Sequence, residues 1–196
     1  MDGRAVAGRK KKARRQQAWI AFQDESGISE RPPVRRTWAP RGETPVLIHA
    51  FNWKKMSASA VLAYRWDGKR SQLFFQVKPD SYNTDSLIAF LEDLRRHFRG
   101  RKVILVWDGL PSHRSREMTD YLRGQTHWLI VERLPGYAPH LNPVEYLWGN
   151  VKGQELANLC ADNLAHATSA LCTGMTRVRH RRQLCFSFLH AAGLSF

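Results

Sequence analysis

The chain has 196 residues, with 31 Lys or Arg against 17 Asp or Glu and an apolar fraction of 43%. That length allows one domain with a tail and excludes a large multidomain machine; seven Trp and nine Phe are enough to fill a core, which excludes wholesale disorder. The formal net charge of +14 gathers at the ends, with seven Lys or Arg against one Asp in residues 1–15 and four Arg with no acid in residues 174–196, a distribution suited to a polyanion, nucleic acid first and an anionic membrane surface second.

Residues 1–17 read as a solvated basic arm. Ala18-Trp19-Ile20-Ala21-Phe22 is a short strand that ends at Asp24. A Pro-, Arg- and Gly-rich loop, Arg31 to Pro45, precedes two predicted strands, Val46 to Phe51 and Ser59 to Trp66. Asp67-Gly68 then marks a hairpin turn, and Gln72 to Val77 is the returning strand. Leu87, Leu91, Leu94 and Phe98 recur at helical spacing, and Gly100 stops that helix. Val103 to Trp107 is a continuous apolar run and reads as a central strand buried on both faces, with Asp108 directly after it. A helix from Ser115 to Leu122, a strand from Trp128 to Glu132, a loop from Pro135 to Leu141 and a helix opening at Pro143 follow, with further helices within residues 157–189. Antiparallel strands first, then alternating helix and strand, give an α/β fold with a mixed sheet flanked by helices. The expected division is an arm (1–17), a domain (18–158) and a C-terminal helical extension (159–196).

No apolar stretch approaches the roughly 20 residues a membrane-spanning helix needs, and the first 18 residues lack a signal-peptide core, so a cytoplasmic protein without a membrane partner is expected. Cys160, Cys172 and Cys185 are odd in number and form no Cys-x-x-Cys pair, which argues against a disulfide framework and a zinc site.

Three carboxylates sit at informative places: Asp24 at a strand end, Asp108 at the end of the central strand and Glu145 at a helix start. Ligands of open α/β sheets gather outside strand ends. Carboxylates that converge there repel one another unless hard divalent cations, Mg²⁺ or Mn²⁺, lie between them, and two such ions suit phosphodiester chemistry. Each acid also has an ordinary explanation: Asp24 terminates a strand, Asp108-Gly109 makes a turn, and Asn142-Pro143-Val144-Glu145 is helix-start chemistry close to a capping box. Glu145, Gly149 and Lys152 share one helix face beside the apolar stripe of Val144, Leu147, Trp148 and Val151. The candidate DNA contacts are Arg9, Lys10, Lys11, Lys12, Arg14 and Arg15 of the arm, Trp38 and Arg41 of the Pro-rich loop, and His113, Arg114 and Lys152 near the acids. His113 could orient a water or a phosphate; a lone loop histidine is otherwise an exposed one. Trp38, Trp53, Trp107 and Trp148 could stack on bases, with core packing the expected place of all but Trp38. Phosphate-loop, nucleophile-elbow and zinc-helix motifs are all missing from the sequence, which removes several enzyme classes.

The blocks Phe22-Gln23-Asp24-Glu25-Ser26-Gly27, Arg36-Thr37-Trp38-Ala39-Pro40-Arg41-Gly42, Trp107-Asp108-Gly109-Leu110-Pro111-Ser112-His113 and the run from Pro135 to Trp148 resemble, in this order, the catalytic domain of bacterial insertion-sequence transposases of the mariner-like DDE superfamily. The resemblance runs from about Trp19 to Leu159, and the 36 residues between Asp108 and Glu145 fit that superfamily's short spacing. It implies an RNase H-like fold, Mg²⁺-dependent (or Mn²⁺-dependent) strand cleavage and joining, insertion at a TA dinucleotide, and Asp24, Asp108 and Glu145 as the catalytic, metal-binding triad. Gly109 stands where many relatives carry Asn, which puts that residue's supporting contact in doubt. Relatives also carry N-terminal helix-turn-helix modules, whereas here a basic arm precedes the first strand. Lys10-Lys11-Lys12 can be encoded by an unbroken run of adenines on which a ribosome slips, so a helix-turn-helix half fused from an upstream frame is one reading and an ordinary basic arm the other. DNA, as transposon ends and target, and a second copy of the chain are the expected partners, in a nucleoid-associated bacterial protein. Two rival readings are a nuclease of the same fold that cuts without joining and a non-catalytic DNA-binding remnant.

Overall fold

The computed structural model describes residues 11–48, 54–135 and 139–195. Five strands form one mixed sheet: β1 (Trp19–Ser29), β2 (Lys55–Arg65), β3 (Ser71–Pro79), β4 (Val103–Trp107) and β5 (Leu129–Arg133), in the order β3-β2-β1-β4-β5. The pairs β1–β2 and β2–β3 are antiparallel, and β4 runs parallel to both β1 and β5. The helices are α1 (Thr84–Phe98), α2 (Arg116–Gly124), α3 (Pro143–Gln154), α4 (Leu164–Arg179) and α5 (Arg182–Ala191).

Successive side chains of a strand point to opposite faces. Ile20, Phe22, Ile104 and Val106 accordingly join one core with Val144, Leu147, Val151, Leu171, Met175 and Phe188 of α3, α4 and α5. Trp19, Ala21, Val103, Leu105 and Trp107 face the other core, filled by Leu87, Phe90, Leu94 and Phe98 of α1 and Met118 of α2. The run from Val103 to Trp107 is buried throughout, as a strand packed on both faces must be. The expected sheet flanked by helices is the observed one.

Several elements depart from the sequence reading. β1 runs five residues past Asp24, because Glu25 to Ser29 continue the ladder with β2, where backbone pairing needs no apolar side chains. Val46 to Ile48 form no strand; Val46 and Ile48 are 78% and 85% exposed, since β-branched residues without a partner strand gain nothing from extension. The remainder of that predicted strand, Trp53, the tip of the loop at 136–138 and the arm through residue 10 lie outside the described residues. Residues 11–16, expected as solvated arm, are helical, and Ala13 is buried in the core of the α3 face. The hairpin turn forms as expected: Gly68 takes φ 68°, and Asp67 accepts from the Arg65 guanidinium and the Lys69 amide. The three cysteines are free thiols, and no helix of the described residues is long and apolar enough to cross a membrane.

Candidate active site

Phe22 lies opposite Val106 in the parallel β1–β4 ladder. Asp24 and Asp108 each follow by two residues, so they leave the same end of the sheet from adjacent strands, whose axes are about 4.8 Å apart. Asp24 shares the parity of Ile20 and Phe22 and therefore faces the side on which α3 packs. The start of α3 is tied to the same place: Asn142 Nδ2 donates to the carbonyl oxygen of Gln23 at 3.1 Å, while Asn142 Oδ1 accepts from the Val144 amide at 3.1 Å. One buried side chain thus caps the helix and fixes it beside Asp24. The expected capping box is incomplete, since among the described residues Glu145 makes no return bond to the Asn142 amide. Glu145 is exposed and projects from the first turn toward Asp24.

The electrostatics record this convergence. Asp24 is pushed up to about 7, first by burial and then by the charges of Glu145, Glu25 and Asp108, against the opposing bond from the Trp148 indole, whose Nε1–H donates to Asp24 Oδ2 at 3.0 Å. Lys152, on the same face of α3, is lowered by burial while Glu145 and Asp24 pull it upward, which places its ammonium within electrostatic reach of both acids. Trp148 packs in the core as expected, but its polar edge belongs to the site.

His113 is 2% exposed, which corrects the expectation of an exposed loop histidine. Its ring stacks on Trp107 with centroids 4.2 Å apart and planes 4° from parallel. Nδ1 meets Asp108 Oδ1 at 2.7 Å and Nε2 meets Glu25 Oε1 at 3.4 Å. Burial lowers its pKa, but hydrogen bonds to Asp108 and Glu25, with their charges, outweigh that and hold it at about 9, so the ring is an imidazolium at neutral pH. In return, burial raises Asp108 while the His113 and Leu110 N–H bonds and the imidazolium charge bring it below the usual carboxylate range. Glu25 also accepts from Gln23 Nε2 at 2.7 Å, and the same Nε2 donates to Ser59 Oγ at 2.9 Å. Glu25, Gln23 and Ser59 were not singled out by sequence reasoning, which placed Trp148 in the core without its bond to Asp24. The only available signal was position: Gln23 and Glu25 flank Asp24, and Trp148 stands three residues after Glu145 on one helix face.

Lys152 lies near the acids, Arg114 is exposed directly after His113, and Trp38 (99% exposed) and Arg41 stand on the open Pro-rich loop, whose base is pinned by paired bonds between Arg35 and Asn158. Lys11 is exposed and Lys12 pairs with Glu132 at 3.4 Å, whereas Arg14 and Arg15 sit where β1 begins, at the other end of the sheet from the carboxylates. Arg9 and Lys10 lie outside the described residues. A Cβ on Gly109 or Gly149 would meet no atom within 4 Å, so both leave open space beside the acids.

The donor set is oxygen only, which suits a hard divalent cation, and a cation would offset both the burial and the neighbouring negative charge that raise Asp24. Among the described residues no three His, Cys, Asp or Glu side chains are gathered closely enough to ligate one ion without moving. Mg²⁺ is commonly held by one or two carboxylates together with substrate phosphates, so the fit is to ions shared between pairs of these acids.

A mixed sheet of this order, with one acid just past the stretch of β1 that pairs with β4, one just past β4 and a third on the helix after β5, has the architecture of an RNase H-like domain. The DDE superfamily endonuclease family matches residues 19–165, and the chain belongs to that family. Among solved structures it is similar to the catalytic domain of Mos1 mariner transposase (17% identity, TM-score 0.52, covering 100% of this chain and 98% of that one). It is also similar to the Mos1 transposase paired-end complex with left transposon end (19% identity, TM-score 0.61, 97% of this chain) and to a simian T-cell lymphotropic virus intasome in complex with a PP2A regulatory subunit (14% identity, TM-score 0.52, 87% of this chain). The chain spans 60% of the length of the Mos1 chain in that complex and 54% of the intasome chain. No curated protein sequence matches it.

Proposed function

We propose that the chain is the catalytic part of a cut-and-paste transposase, which hydrolyses a phosphodiester at a transposon end and then joins the freed 3′-hydroxyl to target DNA at a TA dinucleotide. The observation that carries this reading is the convergence of Asp24, Asp108 and Glu145 in a family of DDE endonucleases, where burial first, and then the charges of Glu145, Glu25 and Asp108, raise Asp24 to about 7. Asp24, Asp108 and Glu145 would hold two Mg²⁺ or Mn²⁺ ions; the Mos1 paired-end complexes have been solved with each of these metals. When bound, such ions lower the pKa of an attacking water and neutralise charge on the phosphate and the leaving oxygen.

The protein's own residues set the geometry. His113 fixes one Asp108 oxygen and leaves the other free to ligate, and Trp148 does the same for Asp24. Asn142 holds the first turn of α3, and with it Glu145, at a set distance from β1. Lys152 stands beside the acids, where it can bind a phosphate oxygen of the scissile strand. Arg114, Trp38 and Arg41 would contact flanking DNA. The full transposase would act as a homodimer, with a helix-turn-helix part reading the inverted repeats.

The deciding experiment is a strand-transfer assay with pre-cleaved ends and Mg²⁺. Joined product is expected. Cleavage of intact ends without joining would favour a nuclease of the same fold, and neither reaction, with DNA binding retained, would indicate a non-catalytic remnant.

A further inference from the structure

The end of the sheet opposite the carboxylates carries a second feature, which the catalytic reading does not use. Here β1, β4 and β5 begin and β2 turns into β3. The connections that build this end (residues 14–18, 66–70, 99–102, 125–128 and 179–182) hold ten Lys or Arg against one acid, Asp67. Asp67 is already taken by Arg65 and the Lys69 amide, and all ten cations are exposed.

These cations are held together by the fold. The Arg182 guanidinium donates to the carbonyl oxygen of Lys69 at 2.9 Å, which joins the α4–α5 corner to the hairpin. The Lys102 carbonyl accepts from the Trp19 amide at 2.8 Å, and Arg101 lies over the Trp19 ring, so this pair sits across the start of β1 from the hairpin, where Arg14 and Arg15 lead into that strand. His97 senses the crowding: after burial, the charges of Arg179 and Arg101 push its pKa further down. Arg181 and Arg182 stand at the N-cap and first position of α5, where the helix dipole disfavours cations and where the Arg181 side chain forms no cap bond. A cation placed against local preference points to a role beyond folding.

We propose that this basic end is a second DNA-binding surface, which holds a duplex other than the one presented to the carboxylates. Arginine dominates the cluster, and its planar fork matches phosphate oxygens. The edge from the β2–β3 hairpin to β4 spans about 15 Å at 4.8 Å per strand, along which a duplex presents about nine phosphate charges. The two ends of the sheet face opposite ways and are separated by the rise of β1 from Trp19 to Asp24, about 17 Å. Duplex DNA with a persistence length of about 150 bp does not bend around so small a domain, so the two surfaces take two duplexes. This inference rests on the proposed function only in assigning a duplex to the carboxylate end.

The test is the stoichiometry of the full chain with a 16-bp duplex, titrated at concentrations well above Kd in Ca²⁺, which is not expected to support cleavage. The parent should take up two duplexes per chain and the variant Lys69→Glu/Arg70→Glu/Arg181→Glu/Arg182→Glu one. In Mg²⁺ that variant should still cleave at close to the parental rate once DNA is saturating. One duplex per chain in the parent, two in the folded variant, or loss of both from the folded variant would overturn the proposal. If charge reversal prevents folding, the Gln replacements at the same four positions serve in its place. A parent that binds two duplexes but cleaves neither would overturn the enzymatic reading and leave this one standing.

Discussion

The indole Nε1 of Trp148 lies 3.0 Å from Oδ2 of Asp24, a bond between residues 124 positions apart that ties the middle of α3 to β1. The Trp148 ring is 3% exposed and belongs to the core, so the carboxylate is aimed by a side chain whose own position is fixed by packing. Trp148→Phe keeps an aromatic ring in the core and removes the donor. Thermal and urea unfolding should show a loss of about 1 to 3 kcal/mol. Cleavage at saturating Mg²⁺ should fall by about ten- to a hundredfold, because an acid released from its aim is misplaced in the transition state. Parental cleavage would mean that Trp148 is a packing residue only.

Asp24 gives a pH-dependent signature in metal-free protein. A carboxyl held at about 7 in the fold, against an ordinary value near 3.8, binds its proton more tightly when folded. The stability contributed by the neutral form is therefore present below about 4 and lost as pH rises through 7. Asp24→Asn escapes that loss, so its Tm in EDTA should exceed the parent's by a margin that widens from pH 5 to pH 8. Mg²⁺ should raise the parent's Tm at pH 8 more than the variant's. A margin that is flat with pH would show that the carboxylate is not held in a repulsive site.

His113 has the opposite sign. Its pKa of about 9 in the fold, against 6.5 ordinarily, means that its pairing with Asp108 and Glu25 stabilises fully below about 6.5 and fades as pH rises through 9. His113→Gln should cost about 3 kcal/mol at pH 6, since it leaves Glu25 and Asp108 without their buried cation, and less by pH 10. Urea titrations at the two pH values check this; a cost independent of pH would assign the loss to stacking on Trp107 alone.

Most of the sheet was legible because its signals are local: short apolar runs in Ala18 to Phe22 and Val103 to Trp107, and a Gly-bearing turn at Asp67-Gly68. Asp108 and Glu145 were legible for the same reason, since they stand at a strand end and a helix start, and Asp24 because it follows the apolar run of β1. What joins them was not. The bonds Asn142 to Gln23, Trp148 to Asp24 and His113 to Glu25 connect residues 119, 124 and 88 positions apart, and no periodicity records a partner so distant. The continuation of β1 through Glu25 to Ser29 was hidden because polar residues there are ordered by β2 rather than by their own propensity. Val46 to Ile48 failed in the converse way, carrying strand-forming residues without a strand to pair with.

Gly174 is the contact that lets α4 close against the end of α3. A Cβ there would lie 2.6 Å from Glu155 Oε2 and 2.8 Å from Val151 Cγ1. Glu155 cannot simply swing away, because its carboxylate is engaged by the Arg177 guanidinium, which also donates to Asn150 Oδ1. Gly174→Ala should therefore destabilise by about 1 to 3 kcal/mol despite the better helix propensity of alanine. Unfolding by urea measures it, and a stabilised variant would show that the helix pair has room to spare.

Glu145 tests the central claim most directly, because it is exposed and makes no capping bond that its amide would lose. The measurement is Mg²⁺-dependent cleavage of end-bearing DNA by Glu145→Gln, with binding to the same DNA followed in parallel. Cleavage at background with affinity within about twofold of the parent is the result expected if Asp24, Asp108 and Glu145 share the metal ions; cleavage at the parental rate would contradict it.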